Sequence, residues 1–198
     1  MGLKIIYNPG ETPLDDDELD ALKIPSISNR QDLDEFEQKN IEDALLWLKK
    51  KKPTIHEILT EDFVKQLHKR MYGDVWKWAG EFRKSNKNIG VDKHQIGIEL
   101  KKLLDDCKYW IDNKVYNADE IAIRFKHKIV WIHCFPNGNG RHSRLMADII
   151  SEYIFAKKPF TWKGGNLSKD NDEKVAYIKA LKKADANVIV DLITFARS

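Results

Sequence analysis

The sequence has little cysteine and no long apolar run. Its two cysteines, Cys107 and Cys134, lie far apart without CxxC spacing, which argues against a disulfide framework and against a thiolate metal site. No segment approaches the roughly 20 apolar residues of a membrane span, and the N-terminus lacks the apolar core of a signal peptide. We therefore expect a cytoplasmic protein with no membrane segment.

The sequence also lacks a large excess of one charge. Its 34 Lys and Arg residues face 31 Asp and Glu residues, which gives a formal net charge of +3 at pH 7. The global positive field typical of a nucleic-acid binder is therefore missing. The lysine run at 49–52 closes a predicted helix, where cations complement the helix dipole, so it favours a solvated helix end. We do not expect nucleic acid as a partner.

The chain length of 198 residues favours one domain with one core. Residues 1–31 hold several prolines and an acidic run, which predict an irregular N-terminal arm with one short helix, and residues 32–198 form the domain. Turn signals in residues 80–96 predict a small β-hairpin.

Apolar residues recur at helical spacing over about 32–50, 61–71, 96–111, 117–132, 145–154 and 169–196, and the first run consists of Leu33, Phe36, Ile41, Ala44, Leu45 and Leu48, which we expect on the core face. Capping signals at Thr54 with Glu57, at Thr60, and at Asn117 with Glu120 predict where three helices begin. The fold class is therefore all-α with one hairpin.

Residues 133–144, HCFPNGNGRHSR, concentrate glycine and positive charge between two apolar runs. Gly138 and Gly140 permit close backbone approach where a helix begins, and the free N–H groups of a first helical turn bind phosphate. Arg141 and Arg144 lie three apart on nearly one helix face, and guanidinium groups bind phosphate oxygens bidentately. His133 stands before the loop, where an imidazole could accept a proton from an attacking hydroxyl. The pattern predicts nucleotidyl or phosphoryl transfer.

Two other interpretations of these residues stay open. Asn-Gly pairs are typical of ordinary tight turns, and a histidine or arginine beside such a turn can be purely structural. A metal site formed by His127, His133 and His142 is a second alternative, but spacings of six and nine fit no compact helical ligand pair, and no acid completes the set. The ordered combination of glycines, histidine and arginines favours the phosphate site.

The segment HCFPNGNGRHSR resembles the Fic motif, HPFx[D/E]GNGRxxR. The resemblance extends upstream to residues 76–83, WKWAGEFR, and downstream to residues 177–185, YIKALKKAD, and covers about residues 33–197. Within the family, NGNGRH and LDEFEQKNI resemble the subgroup called mobile mystery protein B. The resemblance implies a Fic-type helical bundle that transfers AMP from ATP to a Ser, Thr or Tyr hydroxyl of a target protein.

The resemblance also implies roles for eight residues of the motif and for the hairpin. The hairpin at about 83–96 would be the flap that holds an unknown target protein as an added strand. Asn137 stands where most active members have the acid that binds magnesium, so a site for Mg or Mn would be weakened here. The other implied roles are His133 as general base, the backbone of Gly138, Asn139 and Gly140 as phosphate ligands, Arg141 and Arg144 as clamps on the β- and γ-phosphates, and Phe135 as the core anchor of the loop.

Residues 33–40, LDEFEQKN, resemble the inhibitory helix of the family without its Ser/Thr. We expect Glu37 to pair with Arg144 and to misorient the ATP γ-phosphate. Trp162 and Tyr177 could reach an adenine. Two alternatives to a transferase remain: a nucleotide-binding or interaction module that is catalytically silent, and a nucleic-acid-associated partner of a mobile element.

Overall fold

A computed structural model describes residues 12–164 and 172–198, and regular structure in these ranges is helical. The α-helices are α1 (Asp16–Leu19), α2 (Arg30–Lys51), α3 (Ile55–Ile58), α4 (Glu61–Tyr72), α5 (Ile96–Asp112), α6 (Ala118–Ile132), α7 (Asn139–Ile149), α8 (Asp172–Asp185) and α9 (Val190–Arg197). Two 3₁₀ turns at Lys93–Gln95 and Trp162–Gly164 and a π-helical segment at Ile150–Ile154 complete the set. The prediction of an all-α fold is confirmed.

Side-chain caps fix where several helices begin. Asn29 accepts a hydrogen bond from the Asp32 N–H group at the start of α2. Thr54 opens α3 with a capping box, Thr60 caps α4, and Asn117 caps α6. Each cap satisfies backbone N–H groups that have no partner within their own helix. The sequence signals for the starts of α3, α4 and α6 are therefore confirmed.

The helices pack so that the motif lies at the tip of a helix pair. Helix α6 contacts both α5 and α7, and the loop at 133–138 joins α6 to α7. Helix α2 packs on α4, and α8 packs on α9. The predicted helices at 96–111, 117–132 and 145–154 correspond to α5, α6 and α7 with its π-helical end, and residues 169–171 of the last predicted pair lie outside the described residues.

The predicted β-hairpin at 80–96 is not confirmed, because this segment of the described chain holds turns and one 3₁₀ turn and no strand. A side chain replaces the cross-strand ladder. The Arg83 guanidinium, 3% exposed, donates to the carbonyls of Ser85, Val91 and His133. Asn86 accepts a hydrogen bond from the Lys93 N–H group. Because backbone groups of the loop bond to side chains, they do not pair as strands.

The buried face of α2 differs from the one expected. Phe36 and Leu45 were expected on the core face and are exposed, whereas Glu37 and Asn40 are buried in the stripe that also holds Leu33, Ala44 and Leu48. Asn40 donates to the Asp74 carboxylate and accepts from its backbone N–H group. Two polar residues thus lie between α2 and the rest of the domain.

No helix in the described ranges is long and apolar enough to cross a membrane.

Candidate functional site

The motif loop is shaped by one glycine and one asparagine. Gly138 has φ +75°, and a Cβ at this position would lie 2.6 Å from the Tyr72 ring. The side chain of Asn139 closes the loop, because its carbonyl oxygen accepts from the Phe135 N–H group and its amide donates to the Phe135 carbonyl. Helix α7 then begins at Asn139, so the N–H groups of its first turn point away from the helix.

A buried histidine of α4 supports this loop. His68 accepts a hydrogen bond from the Gly80 N–H group through Nδ1, so its Nε2 carries the proton and donates to the Asn137 carbonyl at 3.1 Å. The Phe135 ring stacks on His68 with centroids 3.7 Å apart and is fully buried. Burial holds the pKa of His68 well below its ordinary value. His68 is therefore a neutral support that keeps the loop in place.

His133 ends α6 in the left-handed region, at φ 58°, with its carbonyl held by the Arg83 guanidinium at 2.7 Å. Burial, with a further contribution from the positive charge of Arg83, lowers the pKa of His133 to about 4. The imidazole is therefore neutral at physiological pH. Its Nε2 lies 3.2 Å from the Thr12 hydroxyl oxygen, at a hydrogen-bonding distance.

The two motif arginines have different partners. Arg141 donates to the Glu37 carboxylate at 2.6 Å and lies over the Tyr72 ring. Burial lowers the pKa of Arg141, but the carboxylate of Glu37 raises it by more, so the guanidinium stays charged. The expectation that Glu37 pairs with Arg144 is therefore wrong, because Arg144 extends instead towards the ring of Tyr177 from α8.

Glu37 is held firmly in this position. Its second carboxylate oxygen accepts from the Trp76 indole N–H group at 2.7 Å, and its side chain is only 5% exposed. Trp76 is itself buried and stacks on Trp78. An inward-facing carboxylate that is bound at both oxygens cannot move without leaving a buried donor unpaired.

The residues around Asn137 fit a divalent cation poorly. The Asn137 side-chain oxygen already accepts from the Gly138 N–H group, and its amide donates to the Thr12 carbonyl. Mg²⁺ prefers charged oxygen ligands. Within residues 12–164 and 172–198, no group of three or more His, Cys, Asp or Glu side chains could hold a metal. In this arrangement the Asn137 side chain is thus an unfavourable ligand for a divalent cation.

A cleft of about 1480 Å³ joins these groups. Its lining includes Thr12, Gly90, Asn137 and the two arginines. Tyr177 and Trp162, the two aromatic residues considered for adenine, line the same cleft. Burial raises the pKa of Tyr177, but Lys126 and Arg144 more than offset this, and the net pKa lies below the ordinary value. The cleft thus combines a neutral imidazole, two cations and aromatic walls.

Three residues of the site were missed at the sequence level. Arg83 and His68 contact the motif only in the folded chain: Arg83 lies among turn residues that give no sign of its burial, and His68 lies within α4. Asp148 lines the cleft, and burial raises its pKa to about 7 although the Phe160 N–H group and the Trp162 indole donate to it. An acid in the apolar stripe after the motif was the available signal for Asp148.

Comparisons with known proteins point to one family. The model described as the Fic/DOC family matches residues 58–151. The chain is 28% identical over 99 residues to "Protein adenylyltransferase Fic" of Aedes aegypti and 24% identical over 129 residues to the protein of that name in Nematostella vectensis. These matches cover 48% and 63% of this chain but only 20% and 30% of the relatives. The chain thus spans less than a third of these curated relatives.

Solved structures agree with the fold. BepC of Bartonella tribocorum, solved with bound AMPPNP, superposes with a TM-score of 0.66 at 16% identity, over 90% of this chain and 96% of that one. Fic-1 of C. elegans (residues 134–508) superposes with a TM-score of 0.64 at 20% identity, over 80% of this chain and 46% of that one. The helices, the motif loop and these matches agree: residues 58–151 match the Fic/DOC family model, and the helical fold is shared with solved Fic domains.

Proposed function

We propose that this chain is a protein adenylyltransferase that moves AMP from ATP to a hydroxyl group of a protein. The observation that carries the proposal is the cleft, which a neutral His133 lines together with the first turn of α7, Arg141 and Arg144. The distant relatives named protein adenylyltransferase and the relative solved with AMPPNP support it. Within the family, NGNGRH and LDEFEQKNI support the mobile mystery protein B subgroup.

The roles follow from the chemistry of the cleft. The N–H groups of the first turn of α7 and the two guanidinium groups bind the phosphates of ATP. The acceptor hydroxyl attacks the α-phosphorus, its proton passes to His133 Nε2, and pyrophosphate leaves. A histidine whose pKa is about 4 is fully in the acceptor form at pH 7, although its driving force as a base is modest. The loop at 83–96 is the surface on which we expect the target to dock.

Glu37 restrains this activity in our proposal. Its carboxylate neutralises Arg141, which the phosphates of ATP need, so ATP must compete with Glu37 for the guanidinium. Glu37 pairs with Arg141 instead of the expected Arg144, and in both cases the carboxylate occupies a guanidinium group that would otherwise bind ATP phosphates.

One comparison tests the function. Wild type, Glu37→Gln and the double variant Glu37→Gln/His133→Ala are incubated with α-labelled ATP and Mg²⁺ or Mn²⁺, and protein-bound label is measured. We expect more label with Glu37→Gln than with wild type and none with Glu37→Gln/His133→Ala. If label persists in the double variant, His133 is not the base.

Asn137 favours a second candidate, a nucleotide-binding module that transfers nothing. The position offers no carboxylate, and its amide oxygen is already engaged. The module predicts that Glu37→Gln binds ATP in calorimetry but gains no label. The double variant Glu37→Gln/Asn137→Asp distinguishes an enzyme with a weak metal ligand from a module that transfers nothing. Label gained in this variant would show that only the metal ligand was lacking.

A further inference from the structure

The N-terminal arm enters the cleft at the catalytic base. Thr12 is only 7% exposed, and its hydroxyl oxygen lies 3.2 Å from Nε2 of His133. Its carbonyl oxygen accepts from the side-chain amide of Asn137 at 3.1 Å. A hydroxyl that is to lose its proton to a general base must lie about 2.6–3.2 Å from it. Thr12 meets this condition within its own chain.

The arm is fixed in place by contacts that do not involve Thr12. Asp15 accepts from the Ser85 hydroxyl at 2.6 Å and pairs with Lys87. Glu18 also pairs with Lys87, whose side chain is only 3% exposed, and the Glu18 carbonyl accepts from the Trp78 indole. Hydrogen bonds from Ser85 and Lys87 hold the pKa of Asp15 below its ordinary value. Residues 15–18 are therefore docked on the loop where we expect a target to bind.

Thr12 shares its cleft with Gly90 and with the residues that we expect to bind phosphate. Gly90, at φ +98°, packs against His133 so closely that a Cβ there would lie 2.6 Å from the Cβ of His133. Thr12, Gly90 and the two motif arginines line the same cleft. A nucleotide whose phosphates contact the first turn of α7 therefore shares one space with the Thr12 hydroxyl.

We propose that Thr12 is an acceptor for this chain's own transferase, and that it is adenylylated at its hydroxyl oxygen within the same molecule. The inference rests on the proposed function. Thr12 Oγ1 forms a bond to the α-phosphorus of ATP, the bond between that phosphorus and the β-phosphate oxygen breaks, and pyrophosphate leaves. The hydroxyl proton passes to Nε2 of His133. ATP is the only co-reactant, and no oxidant or reductant takes part.

The test uses the full chain in the Glu37→Gln background, with α-labelled ATP and Mg²⁺ or Mn²⁺. Incorporated label is measured, and the modified peptide is identified by mass spectrometry. We expect label at residue 12, at a fractional rate independent of protein concentration, because the transfer is intramolecular. Thr12→Val should lower incorporation by about tenfold or more, since the acceptor oxygen is gone. Thr12→Ser should keep it, and Thr194→Val, an exposed threonine of α9, is the matched control.

The outcomes separate this inference from the proposed function. Label on other residues that Thr12→Val leaves unchanged overturns the inference and leaves the transferase standing. Label at Thr12 that rises with protein concentration overturns the intramolecular step. Absence of label in every variant, including the Glu37→Gln background, overturns both. The thermal unfolding temperature and the ATP affinity of Thr12→Val are measured as controls, and values equal to those of the Glu37→Gln background exclude misfolding as the cause of a loss of label.

Discussion

Replacing Glu37 with glutamine tests the contact that neutralises Arg141. The substitution keeps the size of the side chain and an oxygen for the Trp76 indole, and it removes the negative charge that Arg141 binds at 2.6 Å. Glu37→Gln thus changes the electrostatic partner of Arg141 with little change in packing.

The size of the effect follows from the burial of the pair. Glu37 is 5% exposed but Arg141 is 31% exposed. Exposed ion pairs contribute about 0–1 kcal/mol, and breaking a buried pair costs about 3–5 kcal/mol, so we assign about 2 kcal/mol to this intermediate case. If ATP must displace Glu37, wild type loses that amount of binding energy. At 1.4 kcal/mol per tenfold, Glu37→Gln should bind the nucleotide roughly 10–30-fold more tightly.

Calorimetric titration with a non-hydrolysable ATP analogue measures this difference without turnover. Glu42→Gln is the matched control, because Glu42 is an exposed glutamate of the same helix whose carboxylate accepts a hydrogen bond from the side-chain amide of Gln38. It makes the same change in net charge and should leave affinity within about twofold. Equal affinity of Glu37→Gln and wild type would refute the competition between Glu37 and the nucleotide.

Three further predictions concern the base, the loop beside it and the acid in the cleft. Because the pKa of His133 is about 4, the transfer rate should show no His133-dependent fall between about pH 7 and pH 5.5, and a midpoint near 6.5 in the rate profile would contradict this. Gly90→Ala should lower the free energy of unfolding by about 1–3 kcal/mol, measured as a lower thermal unfolding temperature, because the new Cβ would lie against His133. The same change should reduce the transfer rate more than the affinity for nucleotide. Burial raises the pKa of Asp148 to about 7, so the folded state holds a proton that the unfolded state loses near pH 4. Stability should therefore fall by about 2–4 kcal/mol as pH rises from 4 to 7, and Asp148→Asn should remove that slope in urea unfolding; an unchanged slope would contradict it.

Local patterns in the sequence were sufficient for the helices. The caps at Thr54, Thr60 and Asn117 act within a few residues, so they could be identified without the fold. The conformation of the loop at 83–96 could not be predicted from local sequence, because the buried Arg83 side chain donates hydrogen bonds to carbonyls that a hairpin would have paired between strands. Turn-forming residues indicate where the chain reverses, but they do not indicate whether side chains or a second strand bind the backbone groups.

The register of α2 shows why a predicted core face can be wrong. The buried stripe runs through Leu33, Glu37, Asn40, Ala44 and Leu48, a helical spacing that a search for apolar residues breaks at its two polar members. A search for apolar residues alone therefore places Phe36 and Leu45 on the core face, although both are exposed. Polar residues that continue an apolar stripe were the signal that Glu37 faces inward.

The position of α8 determines which of the two motif arginines pairs with Glu37. Arg141 and Arg144 lie three residues apart, about 60° around the axis of α7, so the sequence offers Glu37 two cations on nearly one face. In the folded chain α8 brings Tyr177 beside Arg144, and Lys126 approaches the same ring, so Arg144 is drawn towards α8. Arg141 faces α2 and Tyr72 instead and meets the carboxylate there. The spacing within α7 identifies Arg141 and Arg144 as the two possible partners of Glu37. The packing of α8 beside Arg144 leaves Arg141 as the partner, and no local sequence pattern encodes that packing.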